Sequence, residues 1–233
     1  SDVNENYYIK YNNRMRVWQD PKPFYSYLIS CDTSLGRDRD YSAFHIINLY
    51  NGQQVAEFYS NKTPINDFAK IIATEGMLYN TANVICERNT IGNNLIDWLY
   101  NIHEYENLWY DEKDQIGFLV TAKNRDIILA DLEEALRTNL IKLNSLRTSD
   151  ELMTFIISSN GRAQAEKGKH DDLIMSLAIA IHGYKNLIDT IPLEYITQIP
   201  HKEQPPMPSK VTKAPVKTAF GSITQEDLRW LMK

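Results

Sequence analysis

Tyr27-Leu28-Ile29-Ser30-Cys31-Asp32-Thr33-Ser34-Leu35-Gly36-Arg37-Asp38-Arg39-Asp40-Tyr41-Ser42-Ala43-Phe44-His45-Ile46-Ile47 is the stretch from which the fold is read. An apolar run rich in β-branched and aromatic residues ends at Asp32, a charged turn containing Gly36 follows, and a second apolar run starts at Tyr41. That pattern predicts two antiparallel strands, about 24–32 and 41–49, joined by a polar loop. Asn51-Gly52 is a two-residue turn signal, so a third antiparallel strand is expected over 54–60. Asp32 then stands where a buried strand reaches the surface, and a carboxylate there is costly to bury unless a positive group is held beside it.

The theme recurs twice downstream. Ala82-Asn83-Val84-Ile85-Cys86-Glu87-Arg88-Asn89 reads as a short buried strand, about 82–87, ending in an acid. It comes after a helix from Thr63-Pro64 to about Tyr79, with Thr63 as N-cap and Ile65, Phe68, Ile71, Ile72 and Leu78 on the apolar side. His170-Asp171-Asp172 opens the last apolar helix, about 171–188. One strand-end Asp, one strand-end Glu and a helix-start acid make an oxygen ligand set suited to Mg²⁺ or Mn²⁺. Acids at a helix start also have a plain explanation, since the helix dipole stabilises them by about 0.3–1 kcal/mol. His170 is read as a helix N-cap or a proton carrier, and Asp40 as a turn residue or an outer partner of a metal.

Between these landmarks, Asn89 or Thr90 is expected to cap a helix carrying Ile91, Leu95, Trp98, Leu99 and Ile102, with Trp98 as core. Residues 103–115 read as a loop, 116–120 as a fifth strand, and Thr121 leads into a helix with Ile127, Ile128, Leu132, Leu136 and Leu140 in register. Leu152–Ser158 reads as a strand, with Asn160-Gly161 turning the chain back toward Ala165. Residues 1–23 read as an irregular aromatic lead-in and 24–190 as one domain. Residues 191–233 read as a Pro- and Lys-rich linker ending in a short amphipathic helix.

At 233 residues, 43% of them hydrophobic, the chain has enough material for one full core. No apolar run approaches the roughly 20 residues of a membrane span, so a soluble chain without a membrane partner is expected. The start at Ser, without Met, is read as the start of a fragment. Cys31 and Cys86 each precede a proposed ligand, and strand alternation turns both thiols to the opposite face, as packed, reduced cysteines. A net charge of −5 argues against coating nucleic acid by bulk charge, yet local cations can still steer phosphates. The candidates are Arg37, Arg39, Arg88, Lys123, Arg125, Arg162, Lys167 and Lys169, each near a proposed site element.

Three segments together carry a family resemblance: Asp32-Thr33-Ser34-Leu35-Gly36 with Asp40-Tyr41-Ser42-Ala43; Val84-Ile85-Cys86-Glu87-Arg88-Asn89 followed by Gly92; and Gly168-Lys169-His170-Asp171-Asp172-Leu173-Ile174-Met175-Ser176-Leu177-Ala178. In order and placement, over about 24–185, they resemble the nuclease domain of the large terminase subunit of tailed bacteriophages. The resemblance implies an α/β, ribonuclease-H-like fold: a central mixed sheet of three antiparallel strands plus parallel strands, flanked by helices, with the Asp32 and Glu87 strands adjacent. It implies a metal-dependent endonuclease cutting concatemeric viral DNA during genome packaging. Asp32, Glu87 and one or both of Asp171 and Asp172 are the implied ligands of two Mg²⁺ or Mn²⁺ ions, with Asp40 and His170 as further catalytic candidates. The implied partners are double-stranded DNA, an upstream ATPase motor domain, the portal and the small terminase subunit, at the packaging motor in the cytoplasm of the infected host. No P-loop is present: the Gly-Lys of Gly161–His170 has the wrong spacing and lacks the Ser or Thr that binds Mg²⁺. The alternatives are a resolvase or transposase-type nuclease of the same fold, or a non-catalytic DNA- or portal-binding module.

Overall fold

The computed structural model describes residues 6–35, 40–157 and 163–188. The opening stretch forms two paired strands of a six-stranded sheet, β3 (Tyr27–Asp32) and β4 (Ser42–Asn48), in the register Asp32 opposite Ala43 and Ser30 opposite His45. β5 (Gln54–Ser60) adds to β4 antiparallel, completing the expected meander. The loop after β3 is tied to the start of β4 by the Ser34 amide, which donates to the Ser42 hydroxyl at 3.1 Å. Serines at these two positions therefore help fix the exit of the Asp32 strand.

After α1 (Ile65–Leu78) the chain crosses over and β6 (Asn83–Cys86) pairs parallel with β3, Cys31 level with Cys86. The described residues thus centre on a mixed sheet flanked by helices, in the order β1 (Tyr8–Lys10), β2 (Met15–Val17), β5, β4, β3, β6, with β3–β6 its one parallel pair among the described residues. One face is covered by α1 and α2 (Thr90–Asp97), the latter continued by a single π turn, Trp98–Ile102. The other face is covered by α3 (Ala122–Arg137), α4 (Leu146–Met153) and α5 (Asp172–Leu187). No helix among the described residues is long and apolar enough to cross a membrane.

Several expectations change. Residues 1–23 are not all irregular: β1 (Tyr8–Lys10) and β2 (Met15–Val17) extend the sheet beyond β5. Their turn, Tyr11-Asn12-Asn13, takes positive φ, which Asn tolerates. Ile116–Val120 is not a regular strand, because Gly117 adopts φ +83° and Ile116 folds back on Tyr110; only Phe118 bridges to Glu87. Leu152 and Met153 belong to α4, and the strand that follows is β7 (Phe155–Ile157), paired with β8 (Ala163–Ala165). The Asn160-Gly161 turn and residues 189–233 lie outside the described residues.

α1 starts after Pro64, and the Thr63 hydroxyl bonds Ser60 rather than capping it. Phe68, Ile71 and Ile72 are buried as expected, but Leu78 is exposed, and the buried Glu75 is met by Lys10 and Tyr11 of the first hairpin. Ile102 and Ile127 are also exposed.

Candidate active site

Strand alternation sets the site. Cys31 and Cys86 are buried, free thiols in the core beneath α1 and α2. Leu28 and Ile85 pack in the opposite core, under α5, and the Ser176 hydroxyl of α5 donates to the Ser30 carbonyl at 2.9 Å. Asp32 follows Leu28 and Ser30 on that face, and Glu87 follows Ile85. The Glu87 amide donates to the Cys31 carbonyl at 2.9 Å, which continues the parallel ladder one residue past β6 and keeps the two acids level.

Asn89 steadies Glu87 from below. Its side-chain amide donates to Glu87 Oε2 at 2.9 Å, while its oxygen caps α2 by accepting from the Ile91 and Gly92 amides. Gly92 is needed here: a Cβ would sit 1.7 Å from the Glu87 carbonyl oxygen.

α5 lies across β3 and β4 and brings its N-terminus to the same corner. Asp172, in its first turn, has a side chain only 15% exposed, whereas Asp171 is 35% exposed and turned to Arg125, whose guanidinium donates to it at 2.9 Å. His170 Nδ1 is 3.6 Å from Asp172 Oδ2, and its ring stands edge-on to Tyr41 at 4.8 Å. The N-cap position belongs to Asp171, so the capping role expected of His170 is not what it plays.

The electrostatics follow from this crowding of acids. Burial, then the Glu87, Asp172 and Asp171 carboxylates, push the Asp32 carboxyl well above its usual range. Burial and Asp171 push Asp172 up to about 7, with Asp40 adding to the effect and an amide bond from Tyr41 opposing it. Asp40 itself is exposed, on the rim.

The nearby arginines are engaged with groups other than Asp32, Glu87 and Asp172. Arg88 is bound to Asp111 at 2.7 Å and to Gln115, and Arg125 is shared between Asp171 and the Ala163 carbonyl. Among the described residues, no three acid, His or Cys side chains already stand in ligand geometry around one ion. Hard cations such as Mg²⁺ bind through one or two carboxylates and otherwise keep water or take phosphate oxygens. The facing Asp32–Glu87 pair, with Asp172 opposite, fits that mode of binding.

Of the other basic candidates, Lys123, Lys167 and Lys169 are exposed, while Arg37, Arg39 and Arg162 lie outside the described residues. Sequence reasoning missed Glu151, a residue only 9% exposed whose carboxylate accepts from the Leu173 and Ile174 amides. It also missed a buried polar row under α4. There Glu57 accepts from Arg147 and Thr148, and His45 bonds Gln54 and the Leu173 carbonyl. The alternation of β5 was the available signal, because it puts Glu57 on the buried face.

No family model matches the sequence. Among solved structures the chain is similar to the large terminase nuclease from thermophilic phage G20c with bound magnesium, at TM-score 0.64 and 19% identity over 77% of this chain and 92% of that one. The same nuclease with bound cobalt gives TM-score 0.64 and 20% identity over the same shares. The Thermus phage P74-26 large terminase nuclease domain gives TM-score 0.60 and 21% identity over 74% and 86%. The fold is therefore the ribonuclease-H-like fold of large terminase nuclease domains, in agreement with the resemblance carried by the three motifs.

Proposed function

We propose that this chain is a metal-dependent DNA endonuclease in which Asp32, Glu87 and Asp172 hold two Mg²⁺ or Mn²⁺ ions, with Asp171 in an outer role. The observation that carries this reading is the convergence of Asp32 of β3, Glu87 just after β6 and Asp172 of α5 on one corner, where burial and neighbouring carboxylates raise Asp32 and Asp172 while Arg88 pairs with Asp111 and Arg125 with Asp171. Like charges gathered at such cost are a signature of a functional site. The solved structures it resembles, large terminase nucleases with bound magnesium, cobalt or zinc, point the same way.

Divalent ions at such a corner supply an activated water and stabilise the leaving oxygen of a phosphodiester. The chain's own part is positional. β3 and β6 hold Asp32 and Glu87 rigidly side by side, and α5 presents Asp172 across from them. His170, 3.6 Å from Asp172, is placed to carry a proton to solvent. Exposed Lys123, Lys167 and Lys169 attract the phosphate backbone, whereas Arg88 contributes by holding the Asp111 loop. Work on double-stranded DNA at a packaging motor in the host cytoplasm, with an ATPase motor domain, a portal and a small terminase subunit, belongs to the same proposal. So does two-metal cutting of concatemers.

The test is cleavage of supercoiled plasmid in Mg²⁺ or Mn²⁺. Asp32→Asn and Glu87→Gln are each expected to lower the rate by about 100-fold or more while the fold is kept. Undiminished cutting by either variant rejects the assignment. Cutting that survives full chelation of divalent ions rejects the metal requirement.

A further inference from the structure

α5 begins without a cap from its own N-cap residue: Asp171 makes no side-chain bond to the first turn. The cap comes instead from another helix. Glu151, near the end of α4, accepts the Leu173 and Ile174 amides through a single oxygen, at 3.0 and 3.3 Å. A solvent-exposed Ser or Asp at the N-cap would satisfy these donors with little desolvation, yet here an almost fully buried carboxylate is used.

What the buried cap adds is a link to the sheet. α4 is seated on β5 by the Asn144 and Ser145 amides, which donate to Gln54 at 2.8 and 3.0 Å, and by Thr148, which donates to Glu57 at 2.5 Å. A continuous set of bonds therefore runs from the sheet through α4 to the backbone of residues 173 and 174, immediately after Asp172. On the other side, Arg125 ties Asp171 to the β8 carbonyl of Ala163.

We infer that Glu151 is a positioning residue of the acid site: by fixing the first turn of α5 against the sheet, it sets where the Asp172 carboxylate stands relative to Asp32 and Glu87. The inference rests on the nuclease reading for the use to which that position is put. Glu151 acts through the two amides and is not itself a ligand.

The experiment compares Glu151→Ala and Glu151→Gln with the parent chain. It measures Mn²⁺ binding by calorimetry, exchange of the Leu173 and Ile174 amides, and plasmid cleavage against metal concentration. Glu151→Ala is expected to weaken Mn²⁺ binding about 10- to 100-fold, the range for residues that orient ligands, with faster exchange confined to the start of α5. Glu151→Gln, whose amide oxygen still accepts both bonds, is expected to stay within about threefold of the parent. If Glu151→Ala fails to fold, Glu151→Asp, an acid too short to span both amides, takes its place with the same expectation.

Parent-like Mn²⁺ binding by a folded Ala or Asp variant overturns the inference. Equal loss in Gln and Ala also overturns it, since the charge and not the cap would then matter. A parent chain that neither binds Mn²⁺ nor cuts DNA removes the nuclease reading and this inference with it. That failure is visible in the parent, whereas failure of positioning alone is visible only in the variants.

Discussion

At the scale of single residues, the clearest consequence is the linkage of Asp172 to pH. Its carboxyl moves from a usual 3.8 to about 7 on folding, so between those values the folded, metal-free chain keeps a proton that the unfolded chain has released. The stability this group contributes is complete below about pH 4 and is lost as pH rises through 7. Asp172→Asn, which has no charge to bury, should therefore melt above the parent at pH 8 without metal, by on the order of 2 kcal/mol, and the gap should close toward pH 4. Excess Mg²⁺ should reverse the order at pH 8, because only the parent gains from binding. Thermal melts of both chains across that range check the sign. Asp171→Asn separates the neighbouring acids: with its charge spent on Arg125, its loss should cost cleavage about tenfold or less, against about 100-fold or more for Asp172→Asn. Gly92→Ala should lower stability by about 1–3 kcal/mol and impair cutting, since its methyl must displace the Glu87 carbonyl.

At the scale of elements, the buried row beneath α4 gives a prediction that is read from stability alone. Burial alone would raise Glu57, but Arg147, His45 and the Thr148 hydroxyl hold its carboxyl below the usual range. Arg147→Ala leaves that charge unpaired in the core and should cost about 3 kcal/mol in urea denaturation, whereas a change of less than about 0.5 kcal/mol would mean the pair is solvated. What the sequence revealed at this scale follows from periodicity. β3, β4 and β5 alternate or run apolar over six or seven residues, and α1, α3 and α5 repeat over fourteen to sixteen, so each carries its own pattern. β1 and β2 are three residues each and α4 is eight, too short for a period to stand out. Ile116–Val120 had the composition of a strand, and the conformation of Gly117 decided against it.

At the scale of the whole molecule, the site exists only because the topology joins distant parts of the chain. Asp32, Glu87 and Asp172 were legible as candidates since each ends a strand or begins a helix, and the parallel β3–β6 pair is what sets the first two level. Glu151 was not legible, because its role depends on α4 docking beside the start of α5, a contact that no local pattern encodes. Ion pairing hid the same way: Arg88 and Arg125 look free in sequence, and only the fold assigns them to Asp111 and Asp171. Exposed Lys123, Lys167 and Lys169 are the remaining described cations of that set. Reversing all three to Glu should weaken DNA binding and flatten its salt dependence, with Mn²⁺ affinity little changed, as measured by filter binding and calorimetry.

The most direct test is anomalous diffraction from crystals soaked in Mn²⁺. The account predicts anomalous density between the carboxylates of Asp32, Glu87 and Asp172, lost in Asp32→Asn crystals. Density confined to other surfaces, or none at saturating Mn²⁺, would contradict it.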